Sequence, residues 1–140
     1  MIPFIEEVVI QYLKDEIADT VASSTPENTS QTWVKVELID TRQVSATDQD
    51  HFNAFHLQVD CYPSEGGPAF AAEAFSLYQE VRDAFQAMPE ATITGAVVTA
   101  VRFGGGRRLA DTAFDKPRQR YILAVFIPAR ASPPSSPTPT

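Results

Sequence analysis

The sequence predicts an α+β fold: a four-stranded, mainly antiparallel sheet with two helices packed on one face, in the order α-β-β-α-β-β. Three observations predict it. Two segments repeat apolar residues at three- and four-residue spacing, as a helix with one buried side does. Four others alternate apolar and polar residues or run apolar for a short stretch, as strands do. With two helices and four strands, an antiparallel sheet covered on one face is the economical way to bury both helical stripes. At 140 residues, 44% hydrophobic and 21% charged, the chain is long enough for one core without disulfides or metals. Residues 1–130 are expected to form that single domain. Residues 131–140 are a Pro/Ser/Thr tail that buries no apolar area and is expected to be disordered.

The first helix opens at Pro3, whose missing N–H costs nothing in a first turn. Ile5, Val8, Val9, Tyr12, Leu13 and Ile17 make its stripe, and Glu6 and Glu7 suit the positive end of the helix dipole. Residues 23–32 are polar, contain Pro26 and read as a loop. Residues 33–39 form the first strand, with Val34, Val36 and Leu38 on one face and Lys35 and Glu37 on the other. A long polar connection, residues 41–51, leads to the second strand. There Phe55, Leu57, Val59 and Cys61 alternate with His56, Gln58, Asp60 and Tyr62 until Pro63.

The second helix carries Phe70, Ala74, Leu77, Tyr78, Val81, Phe85 and Met88 on one stripe and stops at Pro89. Residues 93–103 read as a third strand, with Val97, Thr99, Val101 and Phe103 on one face. Val98 and Ala100 on its other face suggest a central place in the sheet. Residues 104–116, rich in glycine and charge, read as a loop. Residues 120–127 are a fourth strand, apolar on both faces, closed by Pro128.

The charge of -7 opposes general affinity for nucleic acid, which needs Lys and Arg to displace counterions. It also suits a surface that DNA passes without sticking. Cys61 is the only cysteine, so no disulfide forms within the chain, which fits a reducing compartment. The N-terminus has no basic region before its apolar residues, and no apolar run reaches the roughly 18 residues of a membrane span. A soluble protein made inside a cell, with no membrane partner, is the expectation.

The chemistry-bearing residues converge poorly. His56 is five positions from Cys61 and points to the opposite face of a strand. His51, ten positions away, lies roughly 33 Å along an extended chain. Cys61 is therefore a buried structural cysteine. His56 and Asp60 share a face but stand about 13 Å apart, too far for one metal. That face is a solvated or interface face. Gly104-Gly105-Gly106-Arg107-Arg108 fits neither the phosphate-loop pattern nor the dinucleotide fingerprint. Gly66-Gly67-Pro68 has Glu65 beside it and no nearby cation, so it reads as helix-start geometry. No catalytic residue, metal ligand or cofactor is assigned.

Charge is distributed unevenly. Residues 1–65 hold 12 acids and 3 bases, whereas residues 102–120 hold 6 bases and 2 acids. One surface is thus expected to be negative and one loop region positive, which reads either as a pair of solvated faces or as a head-to-tail contact between copies, of the kind that closes into a ring when the rotation permits. The candidate interface residues are Arg42, Arg102, Arg107, Arg108, Lys116 and Arg118, with Arg107 and Arg108 foremost.

Several segments, in order and spacing, carry a resemblance over residues 3–128. They are Pro3-Phe4-Ile5-Glu6-Glu7-Val8-Val9, then Trp33-Val34-Lys35-Val36-Glu37 and a long polar connection. Leu57-Gln58-Val59-Asp60-Cys61-Tyr62, an Ala-rich helix and Pro117-Arg118-Gln119-Arg120-Tyr121-Ile122-Leu123 follow. In these the chain resembles the tail terminator proteins of long-tailed bacteriophages, especially those of actinobacterial phages. The Pro/Ser/Thr tail departs from the pattern. The resemblance implies a small antiparallel sheet with helices packed on it, and a homohexameric ring on the head-proximal end of the tail tube. That ring ends tube polymerisation and meets the neck. Its partners are itself, the tail tube protein and a head-completion or neck protein, and DNA passes its lumen without specific binding. The place implied is the virion, after assembly in the host cytoplasm. A head-completion or neck connector protein is the alternative. A small ferredoxin-like enzyme with a site between subunits is the alternative of another class.

Overall fold

The computed structural model describes residues 5–17, 20–27, 29–43, 53–67, 70–91, 93, 96–112, 114 and 117–131. The first apolar stripe forms helix α1, Ile5–Glu16, which buries Ile5, Val8, Val9, Tyr12 and Leu13. The second forms α2, Ala71–Ala87, which buries Ala74, Leu77, Val81, Ala84 and Phe85. At Pro89 the chain tightens into a single 3-10 turn, Met88–Glu90. The Tyr12 hydroxyl donates to the Ala84 carbonyl at 2.6 Å and ties the two helices together.

The sheet has six strands rather than the expected four. They are β1 (Thr20–Ala22), β2 (Trp33–Gln43), β3 (Asn53–Tyr62), β4 (Ala96–Val98), β5 (Arg102–Asp111) and β6 (Arg118–Ala131). In space they run β1-β2-β3-β6-β4, with β5 also paired to β6. β1 is parallel to β2 and the other pairs are antiparallel, so the sheet is mixed. The α-β-β-α-β-β order with a four-stranded sheet is therefore corrected. β1 has three residues, too few to carry a readable period.

The expected third strand over residues 93–103 is corrected too. It is divided, and it lies at an edge rather than in the centre. Val98 pairs with Ala129 and Arg102 with Phe126, so four steps on one side match three on β6. Pro128 of β6 falls in that gap, where a strand residue without an N–H costs least. The expected face is inverted in β4, where Ala96 and Val98 are buried and Val97 is not. A second slip, between Phe103 and Gly105, puts Gly105 at a φ of 109° that side-chain-bearing residues rarely adopt. The expected loop over residues 104–116 is strand as far as Asp111. Its glycines and arginines have low strand propensity, and pairing along β6 overrides it. β6 itself extends beyond residues 120–127 at both ends and is paired along both edges.

One sheet face is the core. Val34, Val36, Leu57, Val59, Cys61, Leu123, Val125, Ile127 and Ala129 are fully buried there, in one cluster with both helices. Each large aliphatic side chain so buried stabilises the fold by about 1.5–3 kcal/mol.

Candidate functional site

The opposite sheet face divides into a closed half and an open half. In the closed half, Trp33 and Tyr62, paired across β2 and β3, stack at 4.0 Å and 2°. The Tyr62 hydroxyl donates to Asp111 Oδ2 at 2.8 Å and accepts from Arg120 Nη1 at 2.8 Å. Arg120 Nη1 also donates to Asp111 Oδ2 at 3.1 Å and lies 3.6 Å from Asp60 Oδ2. Gln58 Nε2 donates to Asp60 Oδ1 at 3.0 Å. Asp60 is only 2% exposed, and burial raises its pKa against the pull of Gln58, Arg120 and Lys35. Burial likewise raises the pKa of Tyr62. Arg118 Nη1 donates to the Thr29 carbonyl at 2.6 Å, and its guanidinium lies 4.3 Å over the Phe114 ring. The expectation that Asp60 lies on a solvated or interface face is therefore corrected: its end of the face is shut by Arg120, Tyr62 and Asp111.

The open half centres on His56 and Phe126, stacked at 4.4 Å across β3 and β6. Phe126 is 39% exposed. On one side of this ridge lies a groove of about 380 Å³, lined by His56, Gln58, Arg107, Ile122, Ala124 and the three glycines of β5. On the other side is a groove of about 240 Å³, lined by Asp40, Ala54, Phe55, His56 and Phe126. The larger groove can seat an anionic group against Arg107 over an apolar floor. Among the described residues its lining holds no Ser, Thr, Cys, Asp or Glu. Cys61 lies on the core face and His56 on the open one, as their odd separation requires.

β5 borders this half. Its inner edge pairs with β6, and among the described residues no strand pairs with its outer edge. Nearly all of its residues are exposed. The candidate interface residues are placed unequally. Arg102 and Arg107 share the open face of β5, opposite Phe126 and Ile122. Arg108 projects to the other face, opposite Tyr121. Arg118 is held inside the protomer. Arg42 occupies the β2 position opposite Ala54, and Lys116 lies outside the described residues.

On the helical side of the molecule, Glu16, Glu80 and Asp83 line a cleft of about 310 Å³ between the C-terminal end of α1 and α2. Its other walls are Ile17, Ala84 and Ala87. Among the described residues no three His, Cys, Asp or Glu side chains gather as metal ligands, and no helix is long and apolar enough to cross a membrane. The Trp33–Tyr62–Arg120–Asp111 cluster was not found by sequence reasoning. Only the register brings its members together, and the sequence signal for register is weak across long connections. Compared with protein-family models and with curated proteins, the chain matches none.

Proposed function

We propose that the chain is a structural virion protein: a tail terminator that caps the tail tube as a hexameric ring, ends its polymerisation and offers the surface that joins head or neck. One observation carries this reading. The helices cover one sheet face, while the other, among the described residues, keeps an uncovered His56–Phe126 stack bordered by a ten-residue edge strand that is mostly exposed. Such a face reads as a docking surface: among the described residues the larger groove has no carboxylate, hydroxyl or thiol in its lining, and the smaller brings together only Asp40 and His56, with no nucleophile beside them. The segment order shared with phage tail terminators supports the same reading. Capping follows physically when one ring face fits the tube end and the other accepts no further tube subunit. DNA then crosses an acidic lumen without being held.

Electron microscopy of the full chain mixed with tubes assembled from a tail tube protein tests this. The expected result is a ring at one end of each tube. Bare tube ends together with binding to portal-bearing heads would assign the protein to the neck instead.

A further inference from the structure

Resting on the ring reading, we infer that the outer edge of β5 in one copy inserts into the acid-lined cleft between α1 and α2 of the next. The two features match in charge and polarity. β5 is an exposed ridge carrying Arg107, Arg108 and the 42%-exposed Leu109. The cleft is concave, with carboxylates of Glu16, Glu80 and Asp83 around Ile17 and Ala84. Leu109 and Arg107 project from one face of the strand, toward the apolar residues and a carboxylate of one wall, and Arg108 projects from the other face toward a carboxylate of the opposite wall. Among the described residues no base lines the cleft to compete for those carboxylates.

Charge also excludes the symmetric arrangements. A two-fold contact of β5 with β5 sets Arg107 and Arg108 against their own copies. A two-fold contact of cleft with cleft does the same for Glu16, Glu80 and Asp83. Both are repulsive, so of the pairings these two features can make only the heterologous one is attractive, and a heterologous pairing closes a ring when its rotation permits.

The test is sedimentation velocity on the full-length double variants Arg107→Glu/Arg108→Glu and Glu80→Arg/Asp83→Arg, separately and mixed in equal amounts. All four positions are exposed, and thermal melting checks that both variants fold. Each variant alone is expected to associate at least tenfold more weakly than wild type, by like-charge contact. The mixture is expected to regain the wild-type assembly, because each variant then meets an opposite charge on its neighbour. Wild-type assembly by either variant alone, or a folded mixture that stays dissociated, overturns the pairing and leaves the ring reading standing. A wild-type chain that is monomeric both free and with tubes overturns both.

Discussion

Asp60 sits where burial and pairing compete. Burial holds its pKa above the ordinary 3.8, so the folded chain keeps the proton at pH values where the unfolded chain has lost it. Over that window the folded state binds more protons, and stability falls as pH rises through it. Asp60→Asn is therefore expected to be more stable than wild type near neutral pH. The advantage should shrink as pH falls toward the unfolded value, which urea titrations along a pH series will measure. Removing the cation acts in the opposite sense. Arg120→Met leaves the buried Asp60 carboxylate unpaired and is expected to cost about 3 kcal/mol in the same assay at neutral pH. Gly106 is constrained differently: a Cβ there would collide with the hydroxyl and ring of Tyr78. Gly106→Ala should destabilise by about 2 kcal/mol, because Tyr78 must leave its packing with Phe75 and Tyr121. At this scale the faces of His56 and Cys61 were legible, since alternation along one strand is a local property. The charge network was not. Arg120 meets Tyr62 only because β6 lies beside β3, and no spacing encodes that.

The helices were legible because their period is written within each segment, and Pro89 marks the end of the second. The strands were less so. β5 reads as a loop by composition and becomes a strand because β6 offers it a partner. Pro128 reads as a terminator and is instead accommodated where the neighbouring strand slips. Two open stretches of strand edge also differ, the part of β2 beyond the residues that β1 covers and the outer edge of β5. On β2, the Glu6 carboxylate accepts the Leu38 N–H at 2.9 Å, beside the bulge at Ile39. That contact blocks a donor from pairing with another chain. Glu6→Ala should expose the Leu38 amide and speed its hydrogen exchange about fivefold, consistent with the ~1 kcal/mol of one hydrogen bond. β5 is the longer open edge and carries the arginines, which is why it is assigned the intermolecular role.

For the whole molecule, the bases read from residues 102–120 include the exposed Arg102, Arg107 and Arg108 of β5, but the acid-lined helical cleft takes only Glu16 from the acid-rich residues 1–65 and draws Glu80 and Asp83 from α2. The sequence did not disclose that cleft, since it forms only where the end of α1 packs beside α2. An assembly held by such contacts is expected to loosen as salt rises, because exposed charges are screened beyond a Debye length of about 8 Å at physiological ionic strength. Light scattering along a salt series checks this. The central claim is that the protein acts by closing a surface, and a cap needs only a few copies per tube. The most direct measurement is therefore tube length during polymerisation with increasing amounts of the chain. The account predicts that growth stops when about six copies are present per tube end, long before they match the tube subunits in number. Tubes that lengthen unchanged, or that stop only at one copy per tube subunit, would contradict it.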